Sequence, residues 1–543
     1  LNKQVKIVAA TVLSMSALLA ACGGPNESKG KTTKSEQTLN LIQTAEIPSM
    51  DTSLATDAIS FEVMTNVMEG LYRLDNKDQP IDGMADKYEV SKDGKTYTFH
   101  IRDNAKWSNG DSVTAKDFEY SWKKSIDPEH GSEYAYIMYD VKNAEAINNK
   151  KMPVDQLGVK AIDNNTLQVK LERPVPYFLS LVTFPTFYPQ NEKFVREQGK
   201  DYALDANTGV YNGPFALSKW KHDVSFKLSK NANYWDKSSV KLKEINYNIV
   251  KDIQAGVNLF ETGNVDRVNL TSEFVDKYKD SKDLKQENTP SVFFIRFNEK
   301  IKELANPKVR AALSMAFDKE SLTSVLLNDG SAPANYIVPK GLTSDEAGKD
   351  FRDINGDLVT YNVDEAKKLW EEAKKEAGFD TLTLELLNSD TDTAKKTGEF
   401  LKGELEKNLP GLTVEIKQQP FAQKLDLESK MDYQMTVAGW GPDYPDPMTF
   451  LNMFITGSSY NQMNYSNPKF DKEIKFAQEN TTTDKIDDRW TALLNAEKIL
   501  MDDHAIAPIY QRGRAYVEKE YVKGIVKHQF GGDYTYKWVE IKE

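Results

Sequence analysis

The segment Gly439-Trp440-Gly441-Pro442-Asp443-Tyr444-Pro445-Asp446-Pro447 carries the residue types best suited to gripping another molecule. Its prolines stiffen the backbone, and its two glycines let a second backbone come close. Trp440 offers a flat apolar wall and Asp443 one fixed negative charge. Composition alone favours a plainer reading, a packed corner with solvated acids.

Elsewhere the usual signatures of catalysis are missing. His100, His130, His222, His504 and His528 are scattered, with no HExxH pair, which disfavours a zinc or nickel site. No GxxxxGK[ST] loop, GxGxxG turn or GxSxG elbow occurs, so nucleotide and hydrolase readings lose their usual support. Asp353-Ile354-Asn355-Gly356-Asp357 invites a calcium loop, but the register with Gly356 sixth puts Phe351 first and Asn362 twelfth. Those residues cannot supply the end carboxylates, and a turn is expected. With 82 acids in the chain, no carboxylate pair stands out for acid–base work.

Cys22 is the single cysteine, which excludes an internal disulfide and any thiolate cluster. Lys3 and Lys6 precede the apolar run Ile7 to Ala21, too short to cross a bilayer as a helix, so residues 1–21 read as a signal peptide. The run ends Leu19-Ala20-Ala21-Cys22, which resembles the lipobox of bacterial lipoproteins, with the Cys22 thiol as the acylation point. Residues 22–38 then form a polar tether, spanning on the order of 20 Å r.m.s.. Two or more acyl chains suffice for stable anchoring.

At 543 residues the chain is long enough for about three or four structural units and a large cleft. Hydrophobic residues at 39% and charged residues at 28% are the balance of a soluble globular body. The net charge of -12 becomes -14 once Lys3 and Lys6 are removed with the leader, so a nucleic-acid partner, which needs a basic face, is not expected.

The elements that must position the Asp443 loop are legible in part. Asp93-Gly94 between two alternating runs predicts a hairpin over 88–101. Thr114-Ala115-Lys116-Asp117 predicts a capped helix burying Phe118 and Trp122. Helical spacing from Ala366 to Ala377, stopped by Gly378, precedes a strand at Leu382, Leu384 and Leu386. A helix around Leu401 and Leu405 and a strand at Leu412, Val414 and Ile416 complete a β-α-β succession with a parallel pair. A strand over 433–438 leads into the Asp443 loop, and a helix through Trp490, Leu493 and Leu500 precedes a strand-like run from Ala505.

Several further stretches carry a family resemblance: Met68-Glu69-Gly70-Leu71, Lys106-Trp107-Ser108-Asn109-Gly110-Asp111, Val113 to Phe118, Tyr211-Asn212-Gly213-Pro214-Phe215, Asn306-Pro307-Lys308-Val309-Arg310 and Gly439 to Pro447. Together they make the chain similar to the oligopeptide-binding proteins of ABC importers. The resemblance implies an α/β, periplasmic-binding-protein-like fold of two lobes with a hinge and three domains. The first domain gathers 39–75, 195–290 and 505–543, the second fills 76–194, and the third spans 291–504. It implies that a peptide's backbone is held between the lobes by strand-like hydrogen bonds. Asp443 matches the family aspartate that pairs with the ligand's α-ammonium, Tyr134 a cleft tyrosine opposite, and Gly439, Trp440 and Gly441 the backbone-contacting stretch. Two departures follow. Thr56 stands where a family member has an acid, with Asp57 one place away, and Ala394 and Val437 stand where cationic or imidazole groups help hold a short peptide's carboxylate. Longer peptides become more plausible ligands.

The sequence thus predicts a monomeric, lipid-anchored receptor that is not an enzyme. It takes no cofactor or metal, binds oligopeptides and passes them to the membrane permease subunits of an ABC importer. A dedicated receptor for a signalling peptide is the nearest alternative, and a surface hydrolase a more distant one.

Overall fold

The computed structural model describes residues 37–482 and 485–542, so Cys22, the leader and most of the tether lie outside the described residues. Three larger sheets organise the body. The first orders Thr38–Gln43, Glu244–Ile249, Ser225–Lys230 and Phe215–Lys221, with the first pair parallel and the others antiparallel. Segments some 200 residues apart in sequence thus share one sheet, because Leu39 and Leu41 bury one face of their strand against the same core as Ile245 and Tyr247.

The second sheet, ordered Ala85–Val90, Thr96–Ile101, Thr166–Lys170 and Val159–Ala161, is antiparallel throughout. Its first two strands are the expected hairpin, with Gly94 at a positive φ in the turn. Against it packs the helix Ala115–Ile126, where the Thr114 N–H donates to Asp117 Oδ2 at 2.8 Å, as the capping residues predict. Phe118 and Trp122 are fully buried beneath it.

The third sheet has seven strands and carries the Asp443 loop. Its order is Arg267–Leu270, Ile506–Glu518, Leu284–Phe297, Met435–Trp440, Leu382–Ser389 and Leu412–Gln419, with Ala332–Pro333 paired on Ile506–Glu518. The last two strands run parallel in the register Leu382 to Leu412, joined by the helix Asp392–Asn408, which is the anticipated β-α-β unit. Gly378, left-handed at φ 72, ends the helix Val363–Ala377 before it. The two long strands, Leu284–Phe297 and Ile506–Glu518, connect two cores: Ala515 and Val517 belong to a small cluster with Val257 and Val268, while Ile295 and Ala507 belong to a larger one with Leu386 and Trp370. Their pairing is irregular between Asn288 and Val292.

Two local expectations shift. The strand before the Asp443 loop runs Met435–Trp440 rather than 433–438, since pairing with Leu284–Phe297 continues as far as Trp440 opposite Val292. The Asp353 segment is not a bare turn: Phe351–Asn355 makes a short helix capped by Asp350, and only Gly356 after it turns at φ 65. Among the described residues no cluster of three or more His, Cys, Asp or Glu is arranged for a metal ion, and no helix is long and apolar enough to cross a membrane.

Candidate functional site

A cavity of about 790 Å³ opens between the first and third sheets, with Gly439, Trp440, Gly441 and Asp443 on one wall and Tyr134 facing them. The size suits a ligand of several residues' bulk. The strand Met435–Trp440 delivers Gly439 to the wall beside Phe293, its antiparallel partner. A Cβ on Gly439 would lie 2.7 Å from the Phe293 ring, so glycine alone fits there. The same strand leaves the side chain of Trp440 buried and Gly441 exposed to the cavity.

Asp443 is 4% exposed. Tyr134 Oη donates to its Oδ1 at 3.3 Å and Thr449 Oγ1 to its Oδ2 at 3.3 Å, while the Asp443 N–H donates to Thr449 Oγ1 at 2.9 Å. No cation pairs with this carboxylate among the described residues. Burial, only partly offset by the two hydroxyls, pushes its pKa up to about 8. The walls around it are aromatic. Tyr134 stacks on Trp440 with ring centroids 6.1 Å apart, and Tyr460 meets Trp440 edge-on at 4.7 Å and Tyr134 at 5.4 Å. A carboxylate without a cationic partner and boxed by π faces has the chemistry to attract a desolvated ammonium group, through both its charge and the ring quadrupoles.

Direct contacts join residues 56–251 to residues 390–481. Tyr460 Oη donates to the Thr56 carbonyl at 3.1 Å, Gln462 Nε2 to Glu133 Oε2 at 2.8 Å, and Thr481 Oγ1 to the Pro174 carbonyl at 2.8 Å. Tyr177 and Tyr444 stack at 4.9 Å, and Lys251 pairs with Asp390 at 2.7 Å. The two walls are therefore drawn together.

Of the residues singled out in the sequence, Asp443, Trp440, Gly439, Gly441 and Tyr134 meet at one place, although 309 positions separate Tyr134 from Asp443. The acids of the loop are not solvated as the plainer reading held: Asp446 too is buried, paired with Arg489 at 2.8 Å. Asp57 lines the cavity but caps the helix Ala58–Val67, accepting from the Ser60 N–H at 2.9 Å and Oγ at 2.6 Å, which commits it to structure. Ala394 and Val437 also line the cavity and bring no charge. Sequence reasoning passed over Tyr460, Phe293 and Glu133. Nothing around Tyr460 in Gly457-Ser458-Ser459-Tyr460 marks it as a wall of the site.

Comparison with known proteins identifies the family. The chain is 36% identical over 527 residues to a dipeptide-binding protein, DppE, of Bacillus subtilis, covering 96% of both chains. It superposes with a TM-score of 0.92 on the substrate-binding domain of an oligopeptide ABC transporter from Bacillus anthracis, at 51% identity and covering 94% of this chain and 99% of that one. With OppA of Listeria monocytogenes bound to peptide the TM-score is 0.91 at 41% identity, covering 94% of this chain and 100% of that one. Residues 79–462 match the model of the bacterial extracellular solute-binding proteins, family 5, middle region, and the chain belongs to that family.

Proposed function

We propose that this protein is a lipid-anchored receptor that captures oligopeptides in the cavity between its two walls and hands them intact to the permease of an ABC importer. The observation that carries the reading is Asp443, a buried carboxylate given two hydroxyl donors and an aromatic box but, among the described residues, no cation. A peptide of any sequence presents an α-ammonium, so a sequence-tolerant receptor can rely on that group. The exposed backbone at Gly439 and Gly441 supplies the complementary strand edge. The relatives named for dipeptide and oligopeptide binding support the same ligand class.

In this reading residues 39–75, 195–290 and 505–543 form one domain, 76–194 a second and 291–504 a third. The irregular stretch of the long strands near Asn288 to Val292 serves as the hinge. Cys22 carries the lipid, so Cys22→Ala releases a folded protein from the membrane fraction. Retention of that variant in the pellet at wild-type level after a high-salt wash refutes the anchor.

The ligand reading is tested by calorimetry with one peptide in free and N-acetylated forms. Asp443→Ala leaves the ligand ammonium buried and unpaired, which costs about 2–5 kcal/mol, or about 30-fold to several-thousand-fold in affinity. N-acetylation weakens the wild type strongly and the variant little further, a coupling read from the double-mutant cycle. Simple addition of the two losses means that Asp443 does not hold the amino terminus. Mass spectrometry of the peptide after incubation distinguishes intact capture from cleavage.

A further inference from the structure

Away from Asp443, six cations among the described residues line the cavity: Lys251, Arg267, Arg296, Lys424, Arg512 and Arg514. Five of them are engaged. Lys251 pairs with Asp390 at 2.7 Å, Lys424 with Glu428 at 2.6 Å and Arg514 with Asp533 at 2.7 Å. Arg267 donates to Tyr534 Oη at 2.6 Å and Arg296 to Gln462 Oε1 at 2.7 Å. Arg512 differs. Its guanidinium sits 5.9 Å from the Phe293 ring and makes no side-chain hydrogen bond or ion pair among the described residues.

Two carboxylates lie near Arg512 without a hydrogen bond to it: Asp533 pairs with Arg514 at 2.7 Å, and Asp329 accepts from the Ser331 N–H at 3.0 Å. Arg514, next but one along the strand, repels it, and with burial that repulsion lowers the Arg512 pKa. The Arg512 guanidinium, without a hydrogen bond or ion pair of its own among the described residues, is therefore left open to the cavity. Its position is fixed by the sheet: Trp440 lies opposite Val292, and Val292 opposite Gln511. Thr289 Oγ1 donates to the Arg512 carbonyl at 2.9 Å and pins the backbone. Two strand spacings of about 4.8 Å put Arg512 roughly 10 Å across the sheet from the Trp440 stretch. An extended chain covers that span in about three residues.

We propose that Arg512 is the cavity's acceptor for a ligand carboxylate, about three residues along an extended chain from the Trp440 stretch. The carboxylate is the α-carboxylate of a short peptide or an acidic side chain of a longer one. This inference rests on the peptide reading above. It supplies from the strand Ile506–Glu518 the counter-charge that Ala394 and Val437 do not bring.

Four peptides probe it by calorimetry: trialanine as free acid and as amide, and amidated pentaalanine with Glu or with Gln at position three. The wild type favours the carboxylate member of at least one pair by about 10- to 100-fold, the range of a charge-assisted hydrogen bond. The pair that shows the preference identifies the source. Arg512→Gln brings that ratio close to one, and Arg512→Lys, which keeps the charge, retains most of it. Equal binding within both pairs by the wild type overturns the inference without any variant, and so does a preference that survives in a folded Arg512→Gln. If neither neutral nor acidic peptides bind, the peptide reading itself fails and takes this inference with it; binding of all four without preference sinks the inference alone.

Discussion

Asp443 and Glu497 are both buried carboxylates, and their surroundings could hardly differ more. Glu497, fully buried, accepts from Arg352 Nη1 at 3.0 Å and from Arg352 Nη2, from Asn355 Nδ2 at 2.6 Å, and from the N–H groups of Ile337 and Val338 at 3.2 and 2.9 Å. It ties a loop and the short helix Phe351–Asn355 to the helix Ile486–Asp502, and nothing is left to add. Asp443 has two hydroxyls at 3.3 Å and, among the described residues, no cation. Burial is common to both; completion is not. An acid whose charge is matched inside the fold holds the fold together, while one left unmatched waits for a partner from outside.

The largest expected effect tests that contrast directly. Glu497→Ala strands the Arg352 guanidinium in the core and destabilises by about 3–5 kcal/mol, because a buried charge loses its partner. Asp443→Ala removes a carboxylate that the empty protein compensates poorly, so the empty protein melts no lower than wild type and loses only affinity. Scanning calorimetry of the two variants without ligand reads the difference. Equal drops in transition temperature would mean that Asp443 is a structural group like Glu497.

The second effect is pH-dependent. Burial holds the Asp443 carboxyl at about 8 with the walls together, against the usual value near 4 expected once the cavity opens to water. A proton therefore binds the closed form more tightly than the open one and favours closure. The bias is complete below the open-form pKa and is lost as pH rises through about 8. Small-angle scattering of the empty protein should show the radius of gyration growing between pH 5 and 8.5. Asp443→Asn, which cannot ionise, should stay compact across that range; the same slope in this variant assigns the effect to another group.

What the sequence disclosed follows from how local each signal is. The cap at Thr114, the stop at Gly378 and the alternation from Leu382 to Ile416 are decided within a few residues, and all three stand in the structure. The seven-stranded sheet was not legible, because its middle pairs residues 284–297 with 506–518 and only burial of shared faces selects that register. The site divides likewise. Trp440, Asp443 and the glycines announce themselves by clustering in nine residues, and Tyr134 entered only through resemblance. Tyr460 and Glu133 gave no signal at all. Arg512-Gly513-Arg514 did offer one, two cations flanking a glycine in a strand-like run, and it passed unread.

A smaller effect probes the wall rather than the charge. A methyl group at Gly439 meets the Phe293 ring, which is backed by Tyr510 stacked at 4.8 Å and cannot simply retreat. Gly439→Ala should cost about 1–3 kcal/mol by overpacking, read as weaker binding of free and N-acetylated peptide alike. A loss confined to the free peptide would mean that Gly439 acts through Asp443 and not through the backbone wall.

The smallest effect concerns Glu133, the residue next to Tyr134 and a second acid at the cavity. Its carboxylate accepts from Ser429 Oγ and from Gln462 Nε2 at 2.8 Å, and its carbonyl accepts from Ser459 Oγ at 2.8 Å, so both of its roles bridge the two walls. Unlike Asp443 it is half-buried and already supplied with donors, and water competes for each bond. Such bonds, open to water, sit at the low end of the usual range, about 0.5–0.7 kcal/mol apiece. They exist only with the walls together, so Glu133→Ala should speed peptide release about 3- to 10-fold and leave the association rate unchanged. The decisive reading comes from repeating the measurement with N-acetylated peptide by stopped-flow fluorescence. A latch that never touches the ligand slows both peptides' release equally in the wild type, and its removal leaves the acetylation penalty intact. If Glu133→Ala abolishes that penalty instead, the ammonium is held by Glu133, and Asp443 is no more than a buried acid with a poor set of partners.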